Sequence, residues 1–307
     1  MTAVGNYHRY QGAARDIPGP APAPHIKDRR LVLLDGLVPG LFADGSAVLD
    51  VGCNAGAVTV QVAHYYDIGS ATGVDVDPHL IKKAKSHFTL QSSRIRPATD
   101  DRPRELNYYP IAAVADLGLL ERFLFGDEEE ESSDKHEESS DDDEDSGDEH
   151  EDSGDKHEHS HDETKDSDDG ASSKNPKWTS DLQTVQFIRE DWAISKNPET
   201  SGPYDVILAL SVVKWIHLKH LDAGLEAFFC KCASSLKEGG YFVIEVQSWS
   251  SYLTAITPGK TPHFEDALLQ LKHRPETSFT ELLEQSRLIH VATSEELPRR
   301  ISVYRKA

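Results

Sequence analysis

Val48-Leu-Asp-Val-Gly-Cys-Asn-Ala-Gly56 joins an apolar run to a glycine-containing turn that opens onto further apolar sequence. Glycine lets a backbone approach a ligand closely, and the unpaired N–H groups at the start of a following helix meet that ligand's polar end. The spacing Asp50-x-Gly52-x-Asn54-x-Gly56 departs from the G-x-G-x-x-G that a dinucleotide fold wants for its pyrophosphate. An ordinary strand-to-helix turn is the competing explanation. It loses ground to Gly73-Val-Asp-Val-Asp77, an acidic strand end about 20 residues further on, where a carboxylate takes ribose hydroxyls. Asp75 is the first candidate for that role; Asp77, just before Pro78, is equally placed to cap a helix. Asp191-Trp192 offers an acid and a stacking face for adenine, or a tryptophan that merely fills the core. Lys214-Trp-Ile-His217 sets a cation, an indole and an imidazole within one turn, although a lysine beside a tryptophan is ordinarily a solvated edge.

Positioning these residues requires alternating strands and helices. Ala47 to Val51, Ala71 to Val76, Thr184 to Arg189, Tyr204 to Leu210 and Tyr241 to Val246 read as strands; Ala57 to Tyr65, Pro78 to Phe88 and Leu221 to Leu236 read as helices. Gly239 and Gly240 supply a turn before the last of those strands. A short amphipathic helix over Lys27 to Leu37 feeds the first strand, and Phe279 to Tyr304 holds one more helix and a closing pair of strands. Strands separated by helices imply an α/β fold, with a mostly parallel sheet covered on both faces. Before this core, Pro18, Pro20, Pro22 and Pro24 favour an extended arm.

Of the 53 acidic residues, 24 lie between Asp127 and Asp169 with only 3 lysines, so this tract alone accounts for the formal net charge of −21. The remainder is neutral, and acidity therefore does not exclude a nucleic-acid substrate. Residues 127–173 are too poor in apolar side chains to offset their ordering entropy and are expected to be disordered, inside an insertion spanning 91–182. The stretch 107–125, with Tyr108, Tyr109, Phe123 and Phe125, is expected to dock on the domain. The five histidines of the tract are too scattered among carboxylates to suggest a metal site, and no metal is expected. Its serines suit an acid-directed kinase, and its charge suits a basic RNA-binding protein. Cys53, Cys230 and Cys232 form neither a disulfide framework nor a zinc spacing, which points to a reducing compartment. No apolar run approaches the roughly 20 residues that span a bilayer, and no secretory leader is expected.

Taken in order, Gly5-Asn-Tyr7, Asp28-Arg-Arg-Leu31, Leu49-Asp-Val-Gly-Cys-Asn-Ala-Gly56, Gly73-Val-Asp-Val-Asp77, Leu210-Ser-Val-Val-Lys-Trp-Ile-His-Leu218 and Glu245-Val-Gln-Ser-Trp-Ser-Ser-Tyr252 resemble the Bicoid-interacting, methylphosphate capping enzyme family of RNA methyltransferases. That resemblance implies a class I, Rossmann-like methyltransferase fold with a seven-stranded sheet, interrupted here by the insertion. It also implies methyl transfer from S-adenosyl-L-methionine, leaving S-adenosyl-L-homocysteine, to the terminal (gamma) phosphate at the 5′ end of a small noncoding RNA. Carried over motif by motif, Tyr7, Arg30, Gly52, Cys53, Asn54, Asp75, Val76, Asp191, Trp192 and Leu210 line the cofactor. Lys214, Tyr7, His217 and Arg15 serve the transfer, and Tyr10, Arg15, Lys214, Trp215, His217 and Trp249 face the RNA, with residues 1–30 as an arm closing over both. A monomer working in the nucleus, or in nucleus and cytoplasm, is the matching expectation. The chemistry is coherent, because a terminal phosphate oxygen is already anionic and needs alignment and neutralisation rather than a strong base. Val246 and Ser248 stand where the family commonly has proline, and Gln11 where it commonly has a second aromatic. A 5′-monophosphate substrate, or a mainly RNA-binding assembly role on the same fold, are the alternatives.

Overall fold

In the computed structural model, which describes residues 27–96, 105, 184–256 and 264–307, the chain passes through α1 (Arg29–Leu37), β1 (Ala47–Val51), α2 (Ala57–Tyr65), β2 (Ser70–Asp75), α3 (Pro78–Ser92) and β3 (Thr184–Arg189). It continues through β4 (Tyr204–Leu210), α4 (Val213–Ser235), β5 (Leu236–Val246), α5 (Trp249–Ala255), α6 (Glu265–Gln270), α7 (Phe279–Gln285), β6 (Leu288–Ser294) and β7 (Arg300–Lys306). The strands form one sheet in the order β3-β2-β1-β4-β5-β7-β6. Every pair from β3 to β5 is parallel, and β7 joins antiparallel to both β5 and β6. This is the seven-stranded, mostly parallel sheet that the family resemblance implies.

Strands buried on both faces read as continuous apolar runs, and their two-residue period sorts them into separate cores. Leu49, Val51, Ile207, Ala209, Phe242 and Ile244 meet Leu225, Phe228 and Phe229 of α4 and Phe279 and Leu283 of α7. Their alternates, Val48, Val206, Leu208 and Val243, meet Leu31 and Leu34 of α1 and Val58 and Val62 of α2 on the other face. After β1 the chain builds outward to β2 and β3, then returns to build β4 and β5 on the other side. A crevice therefore opens at the carboxyl ends of β1 and β4, where such sheets hold ligands.

Several boundaries differ from expectation. The helix expected from Leu221 begins at Val213, and Leu221 itself breaks it with φ 61° and ψ −171°. β5 starts at Leu236, because Leu236 pairs with Tyr204 before a register shift, so Gly239 and Gly240 lie within the strand rather than ahead of it. Helices α5 and α6 were not anticipated. The proline-rich arm, residues 107–125 and the acidic tract lie outside the described residues.

Candidate active site

The glycine turn is a run of left-handed backbone, with φ of 72°, 54° and 75° at Gly52, Asn54 and Gly56. It is fastened to β2 twice over: the amides of Gly52 and Cys53 donate to the Val74 carbonyl, and the Asn54 amide donates to Asp75 Oδ2 at 3.0 Å. Asp75 Oδ1 accepts from the Asp77 amide at 3.0 Å. Burial raises the Asp75 pKa, and the two amides oppose it. Asp77 caps α3, accepting from the amides of His79 and Leu80. Val76, half-buried, links the two acids. A Cβ at Gly52 would lie 2.4 Å from Val212 Cγ2, so the glycine admits the turn after β4 as well as its own positive φ. The Cys53 thiol points into a small cluster with Val60, Ile81, Ala84 and Phe187. Burial, then Asp50 and Asp75, push its pKa well up, which leaves only the Cys53 backbone for the crevice.

Acids gather behind this turn. Asp50, 3 % exposed, accepts from the Thr59 hydroxyl, and burial, with Asp75 and Asp28, lifts it to about 6 despite that bond and Arg30. Asp28 caps α1 and takes Nε and Nη2 of Arg30, whose Nη1 donates to Glu245 Oε2 at 3.5 Å. Glu245 is fully buried, and the same oxygen accepts the Ser211 hydroxyl. Ser211 follows Leu210, the buried last residue of β4, and sits at φ 61°. Its Oγ accepts from Arg299 Nη1 at 2.8 Å. Among the described residues, three buried side-chain atoms of this region have no hydrogen-bond partner: Asn54 Nδ2, Glu245 Oε1 and Gln247 Oε1. A buried polar atom left unpaired costs about 1–3 kcal/mol. Such atoms at the ends of β1 and β5 mark a surface built to be completed by a ligand.

On the rim, Lys214 is 7 % exposed and its Nζ lies 4.6 Å from the centre of the Trp215 ring. Burial and the Arg299 charge bring it down to about 8. Trp215 is half-buried beside Phe264. His217 does not face the crevice: it is fully buried, with Nδ1 3.3 Å from the Tyr252 hydroxyl and Nε2 2.8 Å from Asp222 Oδ1. Its place is to hold the helix on which Lys214 sits. Trp249 is half-buried, with Tyr252 stacked against it at 5.0 Å and the guanidinium of Arg274 centred 3.7 Å over its ring. Trp192 is core: it is 2 % exposed, donates Nε1 to the Thr200 carbonyl and meets Phe228 edge-on. Asp191 beside it binds Lys219 and His220, which, against burial, hold it at about 2. Tyr7, Tyr10 and Arg15 lie outside the described residues.

Arg30, Gly52, Asn54, Asp75, Leu210, Lys214 and Trp215 thus stand about the carboxyl ends of β1, β2 and β4, whereas His217 and Trp192 are buried among other side chains and Trp249 is half-buried against Tyr252 and Arg274. Sequence reasoning missed Ser211, Gln247, Ser251 and Arg299 as parts of the site. Glu245 carried a readable signal, a lone acid inside the apolar run of β5; Arg299, far along the chain among surface charges, carried none.

Residues 204–306, from β4 to β7, match the family described as Bicoid-interacting protein 3. The chain is 29% identical over 210 residues to a probable RNA methyltransferase of Arabidopsis thaliana, covering 68% of this chain and 52% of that protein. It is 26% identical over 280 residues to the 7SK snRNA methylphosphate capping enzyme of Homo sapiens, covering 90% and 34%. The chain therefore spans about half the length of the first relative and about a third of the second. Among solved structures, the N-methyltransferase NodS of Bradyrhizobium japonicum aligns at 11% identity over 91% of this chain and 94% of its own, with a TM-score of 0.43.

Proposed function

We propose that this chain, whose residues 204–306 match the Bicoid-interacting protein 3 family, transfers a methyl group from S-adenosylmethionine to the 5′-terminal phosphate of a small noncoding RNA. The observation that carries this reading is Lys214, a buried ammonium bonded to the neutral carbonyl and hydroxyl oxygens of Ser251, on the turn whose Val212 fills the space above Gly52. An ammonium held without a carboxylate among the described residues, at the rim of a ligand crevice, suits an anionic substrate.

The residues of the crevice fit the cofactor. Bound there, S-adenosylmethionine supplies a methyl group on a sulfonium, a cation. Asp50, Asp75 and Glu245, all buried, give the crevice a negative field that favours such a ligand. Asp75 holds two backbone amides and keeps acceptor capacity for ribose hydroxyls, since an ionised carboxylate offers about four lone-pair positions. Asn54 Nδ2 and Glu245 Oε1 supply a donor and an acceptor that the described residues leave unsatisfied.

Lys214 holds the attacking phosphate and neutralises part of its charge, and burial of its stem beside Trp215 fixes where that charge sits. No general base is required. His217, clasped by Asp222 and Tyr252, positions the helix that presents Lys214. Tyr7, Tyr10 and Arg15, by family resemblance, close the arm over both ligands. Nuclear residence and a basic protein partner for the acidic tract complete this reading.

The test is methyl incorporation from labelled S-adenosylmethionine into one RNA carrying a 5′-triphosphate, a 5′-monophosphate or a 5′-hydroxyl. Transfer to a phosphorylated end alone is expected. Cofactor binding without transfer to either phosphorylated RNA would overturn the assignment in favour of an RNA-binding assembly role.

A further inference from the structure

We propose that Asp222 and Tyr252 are positioning residues: acting through His217, they fix α5 against the first half of α4 and so hold the Lys214 ammonium on Ser251. What Lys214 meets there rests on the reading given under Proposed function; how it is held does not. α4 breaks at Leu221, whose φ of 61° and ψ of −171° a leucine keeps only where its surroundings over-determine it. Asp222, the next residue, supplies that constraint from two sides. Its Oδ1 lies 2.8 Å from His217 Nε2 and accepts the His273 amide at 3.2 Å, while its Oδ2 accepts the Lys272 amide at 2.8 Å. One carboxylate thus ties the segment before the break to residues 272–273.

His217 passes the tie on. It is fully buried, and the rings of Tyr252 and Phe279 meet it edge-on at 5.6 and 5.8 Å. Burial lowers the His217 pKa; against burial, the His217 bond and the two amides lower that of Asp222, so a neutral imidazole stands beside a carboxylate. A carboxylate only accepts, which puts the ring proton on Nε2 and leaves Nδ1 to accept the Tyr252 hydroxyl, 3.3 Å away. Ser251, the residue before Tyr252, accepts Lys214 Nζ through its hydroxyl at 2.9 Å and its carbonyl at 3.2 Å.

α5 is held on its other side as well. Trp249 stacks on Tyr252 at 5.0 Å, carries the Arg274 guanidinium 3.7 Å over its ring, and donates its amide to Glu276 Oε1 at 2.7 Å. Asp222 and Trp249 therefore grip one segment, residues 272–276. Lys214 and His217 lie one turn apart on α4, so the chain Lys214, Ser251, Tyr252, His217 closes on itself, with Asp222 as its outer anchor. Moving the ammonium off Ser251 requires α5 to shift against α4, and every bond of the closed chain opposes that shift.

The experiment acetylates the full chain sparingly with an amine-reactive ester and follows Lys214 by peptide mass spectrometry. Lys82 serves as an exposed reference, and Lys231, bonded to the carbonyls of Trp192 and Ser195, reports on α4 beyond the break. In the wild type Lys214 should react at least about tenfold more slowly than Lys82. Asp222→Ala should raise the Lys214 rate about tenfold, Asp222→Asn, which keeps one acceptor, by less, and Tyr252→Phe, which loses only the hydroxyl, about three- to fivefold. The Lys231 rate and S-adenosylhomocysteine affinity should stay unchanged, and kcat/KM for phosphorylated RNA should fall in the same order. Because both residues act through His217, the double variant Asp222→Asn with Tyr252→Phe should fall short of the product of the single effects. Should Asp222→Ala fail to fold, Asp222→Asn and Tyr252→Phe decide the matter by the same readout. Unchanged protection of Lys214 in folded variants, or Lys214 and Lys231 exposed together as in a general loosening, would each overturn the inference. Wild-type methyl transfer with Lys214 indifferent to these variants removes this inference alone, whereas absence of transfer to any phosphorylated RNA removes the reading beneath it.

Discussion

Lys214 and Ser251 meet across 37 residues of sequence, Nζ donating to the serine hydroxyl at 2.9 Å and to its carbonyl at 3.2 Å. The contact joins the segment after β4 to the segment after β5 and anchors the ammonium through neutral groups. With burial and Arg299 lowering Lys214 to about 8, the charged form is present below that pH and lost above it. We expect kcat/KM for phosphorylated RNA to fall about tenfold per unit as pH rises beyond about 8, because that parameter reports groups on the free enzyme. Lys214→Arg should keep a lower but flatter profile. Initial rates across this range check it; an unchanged wild-type rate well above pH 8 would count against Lys214 as the phosphate ligand.

Asp75 and Asp77 separate cleanly by substitution. Asp75→Asn places an amide NH2 against the backbone N–H of Asn54 or Asp77, and cofactor affinity should drop by about ten- to a hundredfold in calorimetric titration. Asp77→Ala removes only a cap and should cost about 1 kcal/mol of stability with cofactor affinity intact. The reverse pattern would exchange the two roles.

Gly52→Ala confronts two obstacles, a φ of 72° and Val212 at 2.4 Å from the added methyl. The backbone term alone is about 1–2 kcal/mol. Adding Val212→Ala removes Cγ2 but keeps Cβ, 2.7 Å from the added methyl, so it relieves part of the clash and none of the backbone cost, and the double variant recovers stability only partly in denaturant titration. Full recovery would show that the positive φ matters little.

His217 supplies a second pH dependence, this time of stability. Burial lowers its pKa, with His273 and Arg274 acting the same way and Asp222 opposing them. The unfolded chain thus takes up a proton near pH 6.5 that the folded chain refuses, so stability is complete above that pH and is lost as pH falls toward the folded value. Melting temperatures should decline more steeply below about pH 6.5 in the wild type than in His217→Gln. Equal slopes would assign the decline to other groups.

How much of this was readable depended on whether a residue's role was set locally. Ala47–Val51 and Ala57–Tyr65 carry their own signals, a buried apolar run, a glycine turn and a helical apolar pattern, and both appear with the expected bounds. Val213 to His220 hid its helix because Val212, the preceding residue, makes no side-chain cap. Trp192 had two readings until its Nε1 was seen to bond Thr200 inside the core. Trp249 and His217 belong to motifs around the site, yet their rings are claimed by Arg274, Tyr252 and Asp222, partners that only the fold supplies. Arg299 became legible through the antiparallel register of the last strand, which no local pattern announces.

The break at Leu221 divides α4 into parts that answer to different demands. Residues 222–235 keep Leu225, Phe228 and Phe229 pressed on the sheet, whereas residues 213–220 present Lys214 and Trp215. Asp222, just past the break, clasps His217 on one side and the amides of Lys272 and His273 on another. Val213 and Ile216 of the short segment nevertheless share one core with Leu225 and Phe228 of the long one, so the segment that carries Lys214 is pinned from both ends and a change of its register would be felt through the sheet.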